Sequence, residues 1–537
     1  MKRLITMVVS LASIATGAST VDAGIENEEL RIDSDVTGTT YQIRYSCAAA
    51  KLQTFVRTDT GRSVTLRRTL SGPNDGSFGS TRTFNGFDRS KPRVLSLSSN
   101  TADRWSLEEG NDEDSLVRIA GADIDCPDYS SPSPSVFVPI TPTRVLDTRP
   151  ETRTNFAGPM PEAQATIDID QSDLPDLPAD AVAVSATVTV TEAAQPGFVQ
   201  LLPTGSTPGG SSNVNPQYAG HTLANNAVAP LSSGGVSVYT HRSTHVVVDV
   251  NGYFVEAPNA TQSGRYQHLP VTDRVIDTRP ASAVNHSTGI VEGGTALTIP
   301  VTDLAGLGSD PVGAVAINVT ATETSDAGFL QSAATGSLDP GASSIVNPTR
   351  PNDTVAAMTI VPVSPNGEID IYTASDSHVI VDVLGWFTDA TAPSSTTGRF
   401  VPLEPERILD TRLDDSPVNC CFPSDYPDFD ESSGRRNPGA RTTAEVPAID
   451  RAGADTVMVN LTAVDATGAG FFQVGAASGF VDGASSTVNA TRAGDIVSNA
   501  AVVGLGQPEG GPTTAAFQVY TQSGGHVVAD VAGYFTE

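Results

Sequence analysis

The stretch His245-Val246-Val247-Val248-Asp249-Val250-Asn251-Gly252-Tyr253-Phe254 decides the fold, because the chain writes it three times. It returns as His378-Val379-Ile380-Val381-Asp382-Val383-Leu384-Gly385-Trp386-Phe387 and again at residues 526–535, where it reads HVVADVAGYF. In the first copy His245, Val247, Asp249 and Asn251 point to one face and Val246, Val248 and Val250 to the other, as the two-residue period of a strand requires. Valine on both faces predicts a central strand covered on each side. Asp249, and with it Asp382 and Asp530, must then be largely buried, and a buried carboxylate needs a partner.

Each closing strand has an opening counterpart that reads Arg-(Val/Ile)-(Leu/Ile)-Asp-Thr-Arg, at residues 144–149, 274–279 and 407–412. A guanidinium can grip a carboxylate through two parallel bonds. The first and last strands of each unit are therefore expected side by side, with Arg149, Arg279 and Arg412 facing Asp249, Asp382 and Asp530. Arg144, Arg274 and Arg407 are the alternative donors. Asp147, Asp277 and Asp410, with the threonines that follow them, are expected to satisfy backbone amides at the strand end.

Recurrence of this kind makes each copy one folding unit. The repeats are expected at 137–255, 265–387 and 399–537, each long enough to bury its own core. Between the two signatures the elements keep one order: an alternating apolar run, a Gly-Phe strand start, Ser-Ser-x-Val-Asn, a further apolar run and a closing hairpin. Short strands between Gly-, Pro- and Ser-containing turns, with no sustained helical stripe, predict an all-β class of sandwich, jelly-roll or barrel units. Short spacers at 256–264 and 388–398 permit either beads or closure about a pseudo-threefold axis. Ahead of them lies a β-rich segment at 24–126 that does not resemble the repeats. It includes an expected hairpin of 93–97 with 104–107, and a Ser/Pro linker follows at 127–136.

Residues 1–23 have the features of a secretory leader: Lys2 and Arg3, an apolar stretch, and Val21-Asp22-Ala23 for cleavage. Its removal takes the formal charge from −30 to −31. Such acidity argues against nucleic acid and anionic lipid as partners and leaves basic or neutral extracellular surfaces. No other stretch is apolar enough to span a membrane, and no anchor is expected after Phe535. Lysine occurs only at positions 2, 51 and 91, so arginine carries nearly all the positive charge. Cys47 and Cys126 bracket most of the front segment, and a disulfide between them would contribute roughly 4 kcal/mol by loop closure. Cys420 and Cys421 are adjacent, and a vicinal disulfide, an intermolecular bridge or two thiols are all open to them.

Catalysis is not expected. G-x-S-x-G, H-E-x-x-H and P-loop patterns are absent, and His245, His378 and His526 lack an activated nucleophile. No cofactor is expected either. Calcium is the alternative, but no D-x-[DN]-x-[DN]-G loop occurs and each motif sets one carboxylate beside two arginines. Tyr253, Trp386 and Tyr534 are expected in cores, with Trp386 the alternative sugar platform. The Asn-x-Thr triplets at Asn318 and Asn460 fall within expected strands and are not read as glycosylation sites.

The two signatures together resemble a repeat found in many exported proteins of actinobacteria and other high-GC bacteria, over about three quarters of the chain. The resemblance implies an extracellular or surface location and tandem β-rich modules without an assigned enzymatic role. The third copy departs from it by an insertion around Cys420 to Arg441. The reading is a secreted, non-catalytic repeat protein for extracellular binding, adhesion or surface structure, with a polysaccharide or cell-surface component as ligand. The alternative is a secreted carbohydrate-active or other hydrolase.

Overall fold

The computed structural model describes residues 29–34, 39–46, 51–58, 64–72, 76–84, 93–98, 104–110 and 116–123, and then 133–537 apart from 207, 286–288, 302–310, 413–428, 431–432, 447–453 and 507–515. The leader and Cys47, Cys126, Cys420 and Cys421 lie outside the described residues. The chain divides into two compact units, the front segment and, from Pro132, the three repeats. The fold is all β, built of antiparallel sheets. No helix of the described residues is long and apolar enough to cross a membrane.

The front unit holds two four-stranded sheets. Glu29–Ser34, Thr39–Ser46, Lys51–Thr58 and Arg93–Ser98 follow one another in the first. Gly76–Phe84, Val64–Gly72, Arg104–Gly110 and Val117–Asp123 form the second. The expected hairpin of 93–97 with 104–107 does not form. Arg93–Ser98 pairs with Lys51–Thr58, and Arg104–Gly110 pairs with Val64–Gly72 and Val117–Asp123. The second placement buries Trp105 and Leu107, which a two-stranded ribbon alone would leave half in water. The Tyr41 hydroxyl donates to the buried Glu109 carboxylate, tying one sheet to the other.

The repeats share one plan, with a short fourth strand, Val488–Ala490, added to the small sheet of the third. In the first, Leu223–Pro230, Ala181–Thr191, His245–Glu256 and Ser135–Asp147 run in that order as half of an eight-stranded sheet, which continues into the third repeat where Ser135 pairs with Phe400, and Ala165–Ile169, Val236–Thr240 and Val199–Pro203 make a three-stranded one. The opening and closing strands are neighbours in all three repeats. Ser135 and Val136 already pair with Glu256 and Val255, so the opening strand starts inside the expected linker. Val246, Val248 and Val250 join Val184, Val188, Leu201 and Val238 between the two sheets. The second repeat buries its counterparts Val379, Val381 and Val383 with Trp386.

The outer face of each large sheet is covered by another repeat, which is why valine and buried polar residues alternate along it. The outermost strands of the large sheets, Leu223–Pro230, Val355–Pro362 and Val497–Gly504, contact one another in all three pairings. At one end of this central column the rings close a hexagon. Going round, Phe137, Phe254, Phe400, Phe535, Tyr266 and Phe387 have successive centroids 5.2, 4.2, 5.0, 4.5, 5.1 and 4.8 Å apart. Each repeat supplies two rings, one from the start of its opening strand and one from the end of its closing strand. The repeats are thus closed about a shared core rather than strung as beads.

Glycine makes that ring possible. A Cβ on Gly252, Gly385 or Gly533 would fall 2.3, 2.3 or 2.2 Å from Phe137, Tyr266 or Phe400, well inside contact distance. The spacer glycines Gly264 and Gly398 have φ of +75° and +79° and press against the Phe137 and Tyr266 carbonyls, a conformation that suits a residue without Cβ.

Candidate binding seams between the repeats

The recurring charges form clasps. Arg144 Nε and Nη2 donate to Asp249 Oδ1 and Oδ2 at 2.9 and 3.2 Å. Arg274 does the same to Asp382 at 2.8 and 3.1 Å, and Arg407 to Asp530 at 2.9 and 3.3 Å. Nη1 of each arginine also lies 3.5, 3.5 and 3.4 Å from the aspartate of its own motif, Asp147, Asp277 and Asp410. The donors are therefore Arg144, Arg274 and Arg407. Arg149 and Arg279, expected on Asp249 and Asp382, instead hold Asp147 and Asp277.

Register explains the correction. Arg144, Arg274 and Arg407 are the cross-strand partners of Asp249, Asp382 and Asp530, whereas Arg149, Arg279 and Arg412 lie two residues past the strand ends at Asp147, Asp277 and Asp410. There the chain turns back, and Asp147 Oδ1 accepts the Arg149 backbone N–H at 3.0 Å. Burial pushes the Asp249 and Asp382 carboxyls up, and the bonds from Arg144 and Arg274 offset only part of that rise. For Asp147 and Asp277 burial also raises the pKa, but the bonds from Arg149 or Arg279 and from the turn hydroxyl outweigh it and leave the carboxyl below its usual value.

The threonine and histidine of the signatures lock the same strand pair. Thr148 Oγ1 accepts the Val246 N–H at 2.9 Å and lies 3.0 Å from His245 Nδ1. Thr278 repeats this with Val379 and His378, and Thr411 with Val527 and His526. With the amide on one lone pair, Oγ1 keeps a hydrogen and a second lone pair for the ring nitrogen, and the histidine tautomer sets which of the two donates. Tyr253 and Trp386 are core residues, so Trp386 is not a sugar platform. Among the described residues no group of three or more His, Cys, Asp or Glu side chains is placed to hold a metal ion.

Each clasp faces a seam with the next repeat, and the three seams form a cycle. Arg144 Nη2 donates to the Ala342 carbonyl of the second repeat at 3.3 Å. Asn318 Nδ2 donates to the Ser486 carbonyl of the third at 3.1 Å. The Ser212 amide of the first repeat lies 3.4 Å from Asp530 Oδ2 of the third. The loops that carry the paired serines thus reach the neighbouring repeat at each seam, and they are braced from within: Gln200, Gln331 and Gln473 Oε1 accept the amides of Gly209, Gly341 and Gly483.

Sequence reasoning missed the asparagines. Asn225 Nδ2 donates to Asn460 Oδ1, and Asn499 Nδ2 to Asn318 Oδ1, both at 2.8 Å across a seam. Their carbonyl oxygens accept the Ala500 and Met358 amides, also at 2.8 Å. At the seam of the first and second repeats the corresponding residues are Thr187 and Ala357, so donor and acceptor are missing together. The signal was there: Asn318 and Asn460 interrupt apolar strands, where a polar group needs a partner.

At the other end of the column three loops meet in a second ring. Tyr218 Oη lies 3.0 Å from Thr349 Oγ1, Arg350 Nη2 donates to Thr491 Oγ1 at 3.3 Å, and the Arg492 guanidinium lies 5.6 Å from the Tyr218 ring centre. Asp353 and Asp495 accept the Thr349 and Thr491 amides, and His221 Nδ1 accepts the Gln217 amide in the same place. Burial pulls His221 down to about 4 although Asp353 and Asp495 lie near. Comparison with protein-family models and with curated proteins finds no match for this chain.

Proposed function

We propose that this chain is a secreted, non-catalytic β-repeat protein that binds a polysaccharide or another extracellular surface component. The resemblance of its paired signatures to exported repeats of high-GC bacteria points the same way. What supports the reading is the fate of the recurring residues. Arginine, aspartate, threonine and histidine of both signatures are engaged with one another, and the hydroxyl beside each histidine is the buried threonine that also accepts a strand amide. The parts that differ between repeats are loops and seams, where recognition residues are usually carried.

A glycan and cell-wall array probed with the secreted protein, with and without calcium, tests this. Retention on a defined polysaccharide, without release of reducing ends, is the expected outcome. Hydrolysis of a glycan on the array would replace the reading with the enzymatic one.

A further inference from the structure

We propose that the first repeat's loop in the second ring is an acid-released latch. Protonation of His221 frees residues 217–221 and, with them, the hold of Tyr218 on the other two repeats.

The three loops of that ring are built on one plan, and one position departs from it. His221 stands where Asp353 and Asp495 stand, four residues after Gln217, Thr349 and Thr491. In each loop the later side chain accepts the backbone amide of the earlier residue. The distances are 3.1 Å to His221 Nδ1, 3.0 Å to Asp353 Oδ2 and 2.7 Å to Asp495 Oδ2. The acceptors are not equivalent. A carboxyl group that takes a proton still has an oxygen with which to accept, whereas a protonated imidazole carries hydrogen on both nitrogens and has no acceptor left. A backbone amide can only donate. A protonated His221 therefore sets donor against donor, and the contact breaks.

What the contact holds gives that break its reach. Tyr218 stacks on the His221 ring, with centroids 4.2 Å apart. Tyr218 Oη lies 3.0 Å from Thr349 Oγ1 of the second repeat, and the Arg492 guanidinium of the third lies 5.6 Å from the Tyr218 ring centre. One side chain thus joins the first repeat to both neighbours, and its platform is the imidazole that titrates.

The His221 side chain is partly exposed, so protons reach it. Burial is the main force holding the ring neutral, at a pKa of about 4; Asp353 and Asp495 favour its charge, and Arg350 and Arg492 oppose it. An open loop returns the ring to water and to the ordinary value of 6.5. Opening should therefore become easier by about tenfold per pH unit between those two values, and by about 300-fold in all.

Native-state hydrogen exchange of the full chain, read at single amides by NMR from pH 7 to pH 4 and corrected for intrinsic exchange, tests the latch. Protection of the Gln217 amide should fall by about 300-fold. The Thr349 and Thr491 amides, held by carboxylates, should lose less than about tenfold. His221→Asp copies the other two loops, and His221→Asn keeps a side-chain oxygen that gains no proton. Both should hold protection at residue 217 across the series. Constant protection of Gln217 in the parent chain, an equal fall at all three amides, or the same fall in a folded variant overturns the proposal. Should neither variant fold, the contrast among the three amides of the parent chain decides.

Discussion

Asp382 has little room for error: it is buried to 2 % exposure, and its two oxygens are taken by one guanidinium. Removing that partner in Arg274→Ala should cost about 3–5 kcal/mol, the penalty of an unpaired buried charge. Arg279→Ala should cost much less, about 1 kcal/mol, because Asp277 keeps the residue-279 amide and the Ser282 hydroxyl. Urea unfolding of the two variants side by side checks the order. Tyr266 offers the opposite case. Its ring completes the hexagon, but its hydroxyl is buried without a hydrogen-bond partner, where the other repeats have Phe137 and Phe400. Tyr266→Phe should raise stability by about 1 kcal/mol, read as an upward shift in melting temperature.

His221 and His268 make acid the weak side of the molecule. Both are held near 4, below the ordinary 6.5, chiefly by burial. The unfolded chain takes up these protons first, so stability is full above about pH 6.5 and falls toward pH 4, by up to about 3 kcal/mol for each ring. A pH series of melting curves should show that decline, reduced in His268→Leu. At this scale the sequence revealed which residues matter and not how they pair. Antiparallel counting alone would not have found the clasp: with Asp147 opposite Val247 it places Val145 opposite Asp249, and a β-bulge there shifts the register by one residue and brings Arg144 to Asp249. Taking the last arginine of the motif ignored the turn that follows Asp147.

At the scale of elements, the opening and closing strands are held by clasp, threonine lock and ring contact together. The glycine before the last two residues of each closing signature is needed because an aromatic ring lies over it. Gly533→Ala would drive a methyl group into Phe400 and should cost about 1–3 kcal/mol through overpacking, measured by chemical denaturation. That the opening and closing strands of a repeat are neighbours was legible from the repeated signatures, whereas the division of the remaining strands between two sheets was not. The front unit was harder, because Arg93–Ser98 and Arg104–Gly110 look like a hairpin by proximity alone. Arg93–Ser98 finds its partner dozens of residues back at Lys51–Thr58, and Arg104–Gly110 lies between distant Val64–Gly72 and the following Val117–Asp123, a placement that buries Trp105 and Leu107.

For the whole molecule, closure of the repeats is the feature local pattern could not supply. The second face of each large sheet is covered by another repeat, so seam residues read locally as unexplained polar interruptions in apolar strands. Asn225 with Asn460 and Asn499 with Asn318 acquire meaning only once three units are set around one axis. Closure also predicts shared stability. The block from residue 133 onward should unfold in one cooperative transition, with calorimetric and van't Hoff enthalpies equal for that transition. Independent beads would melt in separate steps.

The most direct measurement is of proximity inside the hexagon. In deuterated protein with protonated phenylalanine and tyrosine rings, nuclear Overhauser contacts should link Phe254 to Phe400, Tyr266 to Phe535 and Phe137 to Phe387, whose centroids lie 4.2, 4.5 and 4.8 Å apart. Contacts confined to Phe137 with Phe254, Tyr266 with Phe387 and Phe400 with Phe535, each within one repeat, would contradict a closed block.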